Sequence, residues 1–261
     1  LAMLESLYFI YDNINFYEQF GIINCHIQSG LFEENFLANR EIIEEKIRGR
    51  YNPYFIEIQE YPLELKLSFA FYDGFDKEKL NAVARALKKK YYCPLIFSEN
   101  LDRIFYAICV DNPQLIHTGL GTGYIELTFR CNSPYVYSPV YISNLYDLSS
   151  NIIDGTEITL INNGDMEMFS ILTIQVINSG DFSIVKKSDG GKLFSMTDLS
   201  DNETITIDTE NENIQSDIPL TYRYDNMTLG SEFLTFPRGV NKLQIYGNIK
   251  LQVKYEYRFL I

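Results

Sequence analysis

Nine consecutive residues constrain this chain most: Leu63-Glu64-Leu65-Lys66-Leu67-Ser68-Phe69-Ala70-Phe71. Apolar side chains recur at every second position between polar or small ones, which gives a strand with one buried face. The rest of the sequence extends that theme. Tyr (20) and Phe (18) make a 15% aromatic share without Trp, and aromatics favour strands and extensive buried surfaces. A hydrophobic content of 46% with 22% charged residues excludes wholesale disorder, and 261 residues accommodate one large β domain or two smaller ones.

Upstream of that strand, residues 7–10 and 21–28 read as strands. Residues 33–50 are polar and charge-rich, and read as an extended arm or hairpin bounded by Gly49 and Pro53. Helix is the rival reading, because Ile42, Ile43 and Ile47 also fit helical spacing. Downstream, Asp73-Gly74 ends the strand and Asp76 caps a helix running to about Lys90. Leu80, Val83, Ala84 and Leu87 form its apolar stripe, and Lys88-Lys89-Lys90 complements the helix dipole. Strands resume over 94–97, 104–110, 114–118 and 124–131. Ser133-Pro134-Tyr135-Val136-Tyr137-Ser138-Pro139 then shifts the composition, which places a domain boundary near residue 140 and predicts domains over 1–140 and 141–261.

The second half carries turn signals about every ten residues and no helix pattern. Asn162-Asn163-Gly164-Asp165, Asn178-Ser179-Gly180-Asp181 and Ser188-Asp189-Gly190-Gly191 separate short apolar runs. Strands are predicted over 157–161, 171–176, 204–207, 233–236, 242–246 and 251–259, as in a β-sandwich or jelly roll.

The search for chemistry returns structural readings. His26 and His117 stand in strand-like apolar runs and read as strand histidines, not as bases or ligands. Cys25, Cys93, Cys109 and Cys131 lack metal-ligand spacing and read as reduced, buried thiols. Gly119-Leu120-Gly121-Thr122-Gly123 leads into an alternating strand where a phosphate cradle would need a helix, so it reads as a hairpin turn. Acidic runs at 198–203 and 208–212 do not match a calcium loop and read as solvated turns. Tyr222, Tyr224 and Tyr246 offer stacking faces for a carbohydrate, against the reading of sandwich core or rim. No catalytic, metal-binding or cofactor-binding residue is assigned, and neither an enzymatic activity nor a cofactor is expected. A formal charge of −13 argues against tight binding to nucleic-acid phosphates or to an anionic membrane surface. No stretch approaches the roughly 20 apolar residues that span a bilayer, and the first residues lack the pattern of a signal peptide.

One ordered set of segments carries a resemblance. Glu45-Lys46-Ile47-Arg48-Gly49-Arg50 precedes the strand of residues 62–71 and the capped helix. There follow Cys93-Pro94-Leu95-Ile96-Phe97, Arg103-Ile104-Phe105-Tyr106-Ala107, and the run from Gly121 that ends Leu127-Thr128-Phe129-Arg130-Cys131-Asn132-Ser133-Pro134-Tyr135. In the second half, Asp198-Leu199 and Glu203-Thr204-Ile205-Thr206-Ile207-Asp208 precede Phe236-Pro237-Arg238-Gly239-Val240-Asn241. This order resembles the distal tail (Dit) proteins of siphovirus-type phages and prophages. The resemblance implies a mainly β fold: an N-terminal β-sandwich or split barrel with one helix, akin to the tail tube, and a C-terminal galectin-like β-sandwich. It also implies a structural baseplate protein of the virion, made in the host cytoplasm and built into a homohexameric ring. The implied partners are the tail tube, the tail-associated (Tal) protein and a receptor-binding protein. DNA passes through such a ring unbound. Cell-wall carbohydrate is the alternative ligand.

A ring needs two different surfaces on each subunit. The arm is expected to supply one of them, with Ile42, Ile43, Ile47, Arg48 and Arg50 as interface residues. Residues 1–145 carry 13 Lys and Arg against 18 Asp and Glu, a net −5. An acidic lumen lined by this half would repel DNA phosphates.

Overall fold

The computed structural model describes residues 5–25, 37–119 and 121–260. His26 and residues 33–36 of the arm lie outside them. The chain divides into two compact units, Leu1–Ser138 with Phe259–Ile261, and Pro139–Arg258.

Among the described residues, the first unit up to Ser138 has the strands β1 (Phe9–Tyr11), β2 (Ile14–Asn15), β3 (Ile22–Asn24), β4 (Arg40–Glu45), β5 (Tyr54–Glu60), β6 (Glu64–Phe71), β7 (Cys93–Phe97), β8 (Asn100–His117), β9 (Gly123–Cys131) and β10 (Val136–Tyr137). All but β4 and β5 share one sheet, ordered β2-β1-β7-β8-β9-β6-β3 with β10 beside β8. The alternating segment is β6. Its Leu65, Leu67 and Phe69 face inward opposite Phe129, Leu127 and Ile125 of β9. Phe9 stacks between Phe16 and Phe69 at centroid distances of 4.4 and 4.5 Å, which places aromatic pairs at the centre of this core.

Among the described residues, two α-helices occur where one was expected. The additional one, α1 (Phe16–Phe20), is short: Asn15 accepts from the Tyr17 and Glu18 N–H groups, Gly21 at φ 60° ends it, and Phe16 and Phe20 are buried one turn apart. The expected helix is α2 (Lys77–Leu87), with Asp76 accepting from the Lys79 N–H at 2.7 Å. Its buried stripe is Val83, Ala86 and Leu87. Ala84 faces solvent, one helical position away from the expected face. Lys89, just beyond the helix, pairs with Asp12.

The two strands expected over 104–118 are a single strand, β8, bulged between Val110 and Gln114 with Asp111 at φ 63°. The glycine-rich segment closes the β8–β9 hairpin: His117 pairs with Gly123, and a Cβ on Gly123 would stand 2.3 Å from the Ile116 carbonyl. His117 is exposed at the strand end. Cys93 and Cys131 are buried, and burial pushes the Cys131 thiol up to about 12.

The second unit contains β11 (Tyr141–Ile142), β12 (Tyr146–Leu148), β13 (Thr156–Asn162), β14 (Ser170–Val176), β15 (Gly180–Lys186), β16 (Lys192–Leu199), β17 (Thr204–Asp208), β18 (Asn213–Ser216), β19 (Gly239–Tyr246) and β20 (Ile249–Tyr255). The chain ends with β21 (Arg258–Phe259). Here β11-β20-β14-β17-β18, with β12 also on β20, form one sheet, and β13-β19-β15-β16 form the other. Leu172 and Ile174 of β14 align with Ile207 and Ile205 of β17 and with Val253 and Leu251 of β20. Across the core, Ile184 of β15 aligns with Phe194 and Ile245. Two inner faces of alternating apolar residues make a β-sandwich. The segment 233–236, expected as a strand, is a loop with one β-bridge, Phe236 to Met168, and further hydrogen bonds from Lys186 and Asn162 to its carbonyls and from Thr235 to Glu167.

Candidate functional site

Strands β4 and β5 form a two-stranded ribbon of their own. Arg40 pairs with Glu60, Glu41 with Gln59, Ile42 with Ile58 and Ile43 with Glu57. A bulge then shifts the register, so that Glu44 meets Phe55 and Glu45 meets Tyr54. The structure thus resolves the arm as a hairpin, and the helical alternative is set aside. Its second strand was not apparent in the sequence.

The root of the hairpin is fixed to its own unit. The Tyr61 N–H donates to the Asn39 carbonyl at 2.9 Å, Arg40 and Glu60 form an ion pair at 3.1 Å, and the Tyr135 hydroxyl donates to Glu60 at 3.0 Å. The Tyr61 hydroxyl donates to Glu41 at 2.5 Å, and this bond holds the phenol above its usual range. Beyond the root the strands project side chains into solvent. Every residue of β5 is exposed, and in β4 only Ile43 is partly covered.

The exposed side chains include Ile42 (60% exposed), Ile58 (42%), Ile56, Phe55 and Tyr54. The turn between the strands holds Lys46, Ile47, Arg48, Gly49 and Arg50, with the Arg50 N–H donating to the Ile47 carbonyl at 3.1 Å and Gly49 at φ 89°. The five arm residues singled out from sequence therefore lie on one hairpin: Ile42 and Ile43 on its first strand, Ile47, Arg48 and Arg50 at its tip. A two-stranded hairpin is at best marginally stable in water. Large apolar side chains exposed on an unpaired strand edge are a general feature of surfaces that pair with another chain.

The second unit separates the three tyrosines. The rings of Tyr222 and Tyr224 lie 5.1 Å apart at 33°. Tyr222 is 66% exposed, whereas the Tyr224 hydroxyl donates to the Glu212 carbonyl at 3.1 Å and accepts from the Ile214 N–H at 3.0 Å. Tyr224 thereby fastens its loop to the β17–β18 turn. Tyr246 stands on β19 opposite Ser183, close against Gly155, on the other sheet.

Glu203, read in the sequence as part of a solvated turn, is buried. Arg223 grips it through two bonds, Nε to Oε1 at 2.8 Å and Nη2 to Oε2 at 2.6 Å. The Ser216 hydroxyl and the Ser200 N–H donate to the same carboxylate at 2.6 and 2.9 Å. Burial alone would raise this carboxyl, but the bonds from Arg223, Ser216 and Ser200, with the guanidinium charge, outweigh it and hold it below the usual range. This clamp fixes the long loop that carries Tyr222. Sequence reasoning missed it because the partners lie 20 residues apart.

Among the described residues, no group of three or more His, Cys, Asp or Glu is placed to hold a metal ion. The features that stand out are a hairpin with exposed apolar side chains and a loop tied to a buried ion pair.

Residues 4–133 match the family model described as a phage tail protein N-terminal domain, and residues 163–259 match that of a siphovirus-type tail component, C-terminal domain. The SPbeta prophage-derived protein YomH of Bacillus subtilis strain 168 is 31% identical over 256 residues, which cover 98% of this chain and 99% of that protein. The fold matches the crystal structure of the Dit protein of phage SPP1, with a TM-score of 0.72 at 12% identity, over 97% of this chain and 99% of that one. A chain of the phage P2 baseplate in its activated conformation aligns at a TM-score of 0.52 and 10% identity, over 96% and 97% of the two chains. The chain belongs to the siphovirus-type distal tail (Dit) family of tail and baseplate proteins.

Proposed function

We propose that this protein is the hub of a phage tail tip. Six copies close into a ring through their N-terminal domains, residues 1–140. The ring joins the tail tube to the Tal protein, and the C-terminal domains, residues 141–261, support receptor-binding proteins on its flank. The observation that carries this reading is the hairpin: held at its root by three polar contacts and exposing Ile42, Tyr54, Phe55, Ile56 and Ile58 along its strands, it is a surface in want of a second subunit. The likeness in fold to the Dit protein of phage SPP1, described as a paradigm of the hub adsorption apparatus in phages infecting Gram-positive bacteria, supports the same role. The net −5 of the first 145 residues suits a conduit whose wall repels DNA.

Excising the hairpin tests the proposal. Asn39 and Tyr61 already meet through a backbone hydrogen bond, so a two-glycine link can replace residues 40–60 with little strain on the remaining fold. The shortened protein is expected to be a folded monomer by light scattering. Rings of unchanged stoichiometry would contradict the proposal.

A second reading, attachment to cell-wall polysaccharide, is favoured by one observation: the exposed Tyr222 ring beside Tyr224 offers a stacking face. On this reading Tyr222→Ala lowers retention on host cell-wall polysaccharide at least ~5-fold, a loss of about 1 kcal/mol. Equal retention of the two proteins excludes it.

A further inference from the structure

One long strand edge in the second unit is bare. Strand β13 lies at the margin of its sheet and pairs only with β19, in unbroken register from Thr156 opposite Ile245 to Asn162 opposite Gly239. Lys242 of β19 turns its carbonyl toward β15, where it accepts from the Lys187 N–H at 2.9 Å. Thr159, which stands opposite Lys242, therefore turns its backbone groups away from β19, and so do Glu157 and Ile161. Of these groups only the Ile161 carbonyl has a partner among the described residues, the Tyr257 hydroxyl at 3.2 Å.

The opposite margin of the same sheet is covered. The Thr228 and Glu232 N–H groups donate to the Ser195 and Leu193 carbonyls of β16, and the Ser195 N–H donates to the Ser231 hydroxyl. In the facing sheet, β18 has four residues and its Ile214 N–H donates to Tyr224, while β11 and β12 have two and three. Free edges are ordinarily guarded by a bulge, a proline or a charge. Strand β13 has neither bulge nor proline, and its one charge is drawn aside: Glu157 pairs with Lys242 at 3.2 Å and with Lys187 at 3.4 Å. Next to the edge, Ile161 and Val240 stand opposite each other and form an apolar step, 49% and 58% exposed.

We infer that β13 receives an extended segment of another tail-tip protein, added to this sheet as a fifth strand. Unused backbone donors and acceptors along an edge are matched by a strand. The neutralised carboxylate and the Ile161–Val240 step call for uncharged, apolar side chains on that strand. A second copy suits the edge poorly, since pairing β13 with itself about Thr159 sets Ile161 against Glu157. The seven residues also offer too little area for two free proteins. A contact about 24 Å long and roughly 10 Å wide covers roughly 500 Å² over both partners, against the ~1,200 Å² of a stable complex. The strand therefore belongs to a protein tethered elsewhere, as the components of a tail tip are. On this one point the inference rests on the hub reading.

Hydrogen exchange at the edge tests it. In the purified protein the Thr159 and Ile161 amides are expected to exchange freely, and in isolated tails at least ~100-fold more slowly. Thr159→Pro removes one outward N–H, and an edge strand tolerates proline where the N–H faces away from the sheet. The variant is expected to keep wild-type exchange in β14 and β17, and its Ile161 amide should stay open in tails. Thr159→Lys, a guarding charge on the same exposed side chain, serves if the proline disturbs the fold. Free exchange of both amides in wild-type tails overturns the inference. Protection already complete in the purified protein overturns it too, because the occupant is then a second copy. A wild-type protein that forms no rings counts against the hub reading, while the amides in tails still decide the edge.

Discussion

Replacing Arg223 with leucine is expected to destabilise the C-terminal unit by about 3–5 kcal/mol, the cost of leaving a buried charge without its partner. The carboxylate of Glu203 is fully buried and the Arg223 side chain only 12% exposed, so water cannot take the cation's place. Loss of the guanidinium removes two bonds to Glu203 at 2.8 and 2.6 Å and those to Asn226 and Ser200 at 3.3 and 3.2 Å, and leaves the loop held at the adjacent Tyr224. Hydrogen exchange in β14 and β17 reports on this unit, and its protection should fall about 100-fold or more. Unchanged protection would show that the pair is not the clamp. Replacing both partners with leucine should cost less than replacing Arg223 alone, because the orphaned charge is then absent.

The same pair sets an acid response. The folded-state pKa of Glu203 lies below its unfolded value, so its contribution to stability is fully present above the ordinary carboxylate pKa, near ~4.3. That contribution is lost as the pH falls through the lower, folded value. Wild type should therefore lose protection in the C-terminal unit below about pH 4, and the double leucine variant should lack this part of the response.

The second large effect concerns assembly and leaves the fold alone. Ile42→Asp together with Ile58→Asp places two carboxylates opposite one another in the exposed apolar pair. In a single copy these positions face water, so unfolding should shift by no more than about 0.5 kcal/mol per site. In the proposed ring they would be covered, and burying unpaired charge costs several kcal/mol. The midpoint for assembly should rise more than ~100-fold in concentration. Matched wild-type and variant assembly curves would remove the strands of the hairpin from the interface.

How much of this was legible before the fold depends on where the signal lay. Strand β6 and the Asp76 cap of α2 were readable because their signals are local: strict alternation in one, a capping side chain in the other. The sandwich was readable from its turns, as in Asn162, whose side chain accepts from the Gly164 N–H at 2.8 Å within a four-residue window. Strand β5 was not readable. Tyr54, Phe55, Ile56 and Ile58 break alternation because a bulge adds a residue, and exposure on both faces removes the selection for a period. The polar insertion in β8 imitated a turn for the same reason. Residues 233–236 misled in the opposite sense, since Leu234 and Phe236 are buried but lie in a loop against the sandwich.

The candidate site was legible by halves. Charge and isoleucine content marked Ile42, Ile43, Ile47, Arg48 and Arg50, and the structure adds the second strand that makes their segment a hairpin. Glu203 beside Asp201 and Asn202 looks like any polar turn, and only the distant Arg223 makes it a buried ion pair. The tyrosines illustrate the limit of reasoning from residue types: Tyr222 and Tyr224 share a loop, while Tyr246 belongs to the other sheet.

The central claim is that the protein is a ring-forming hub, and electron microscopy of the purified protein tests it most directly. Closed rings of six copies around a central pore are expected. Single copies, or closed particles without a pore, would contradict it.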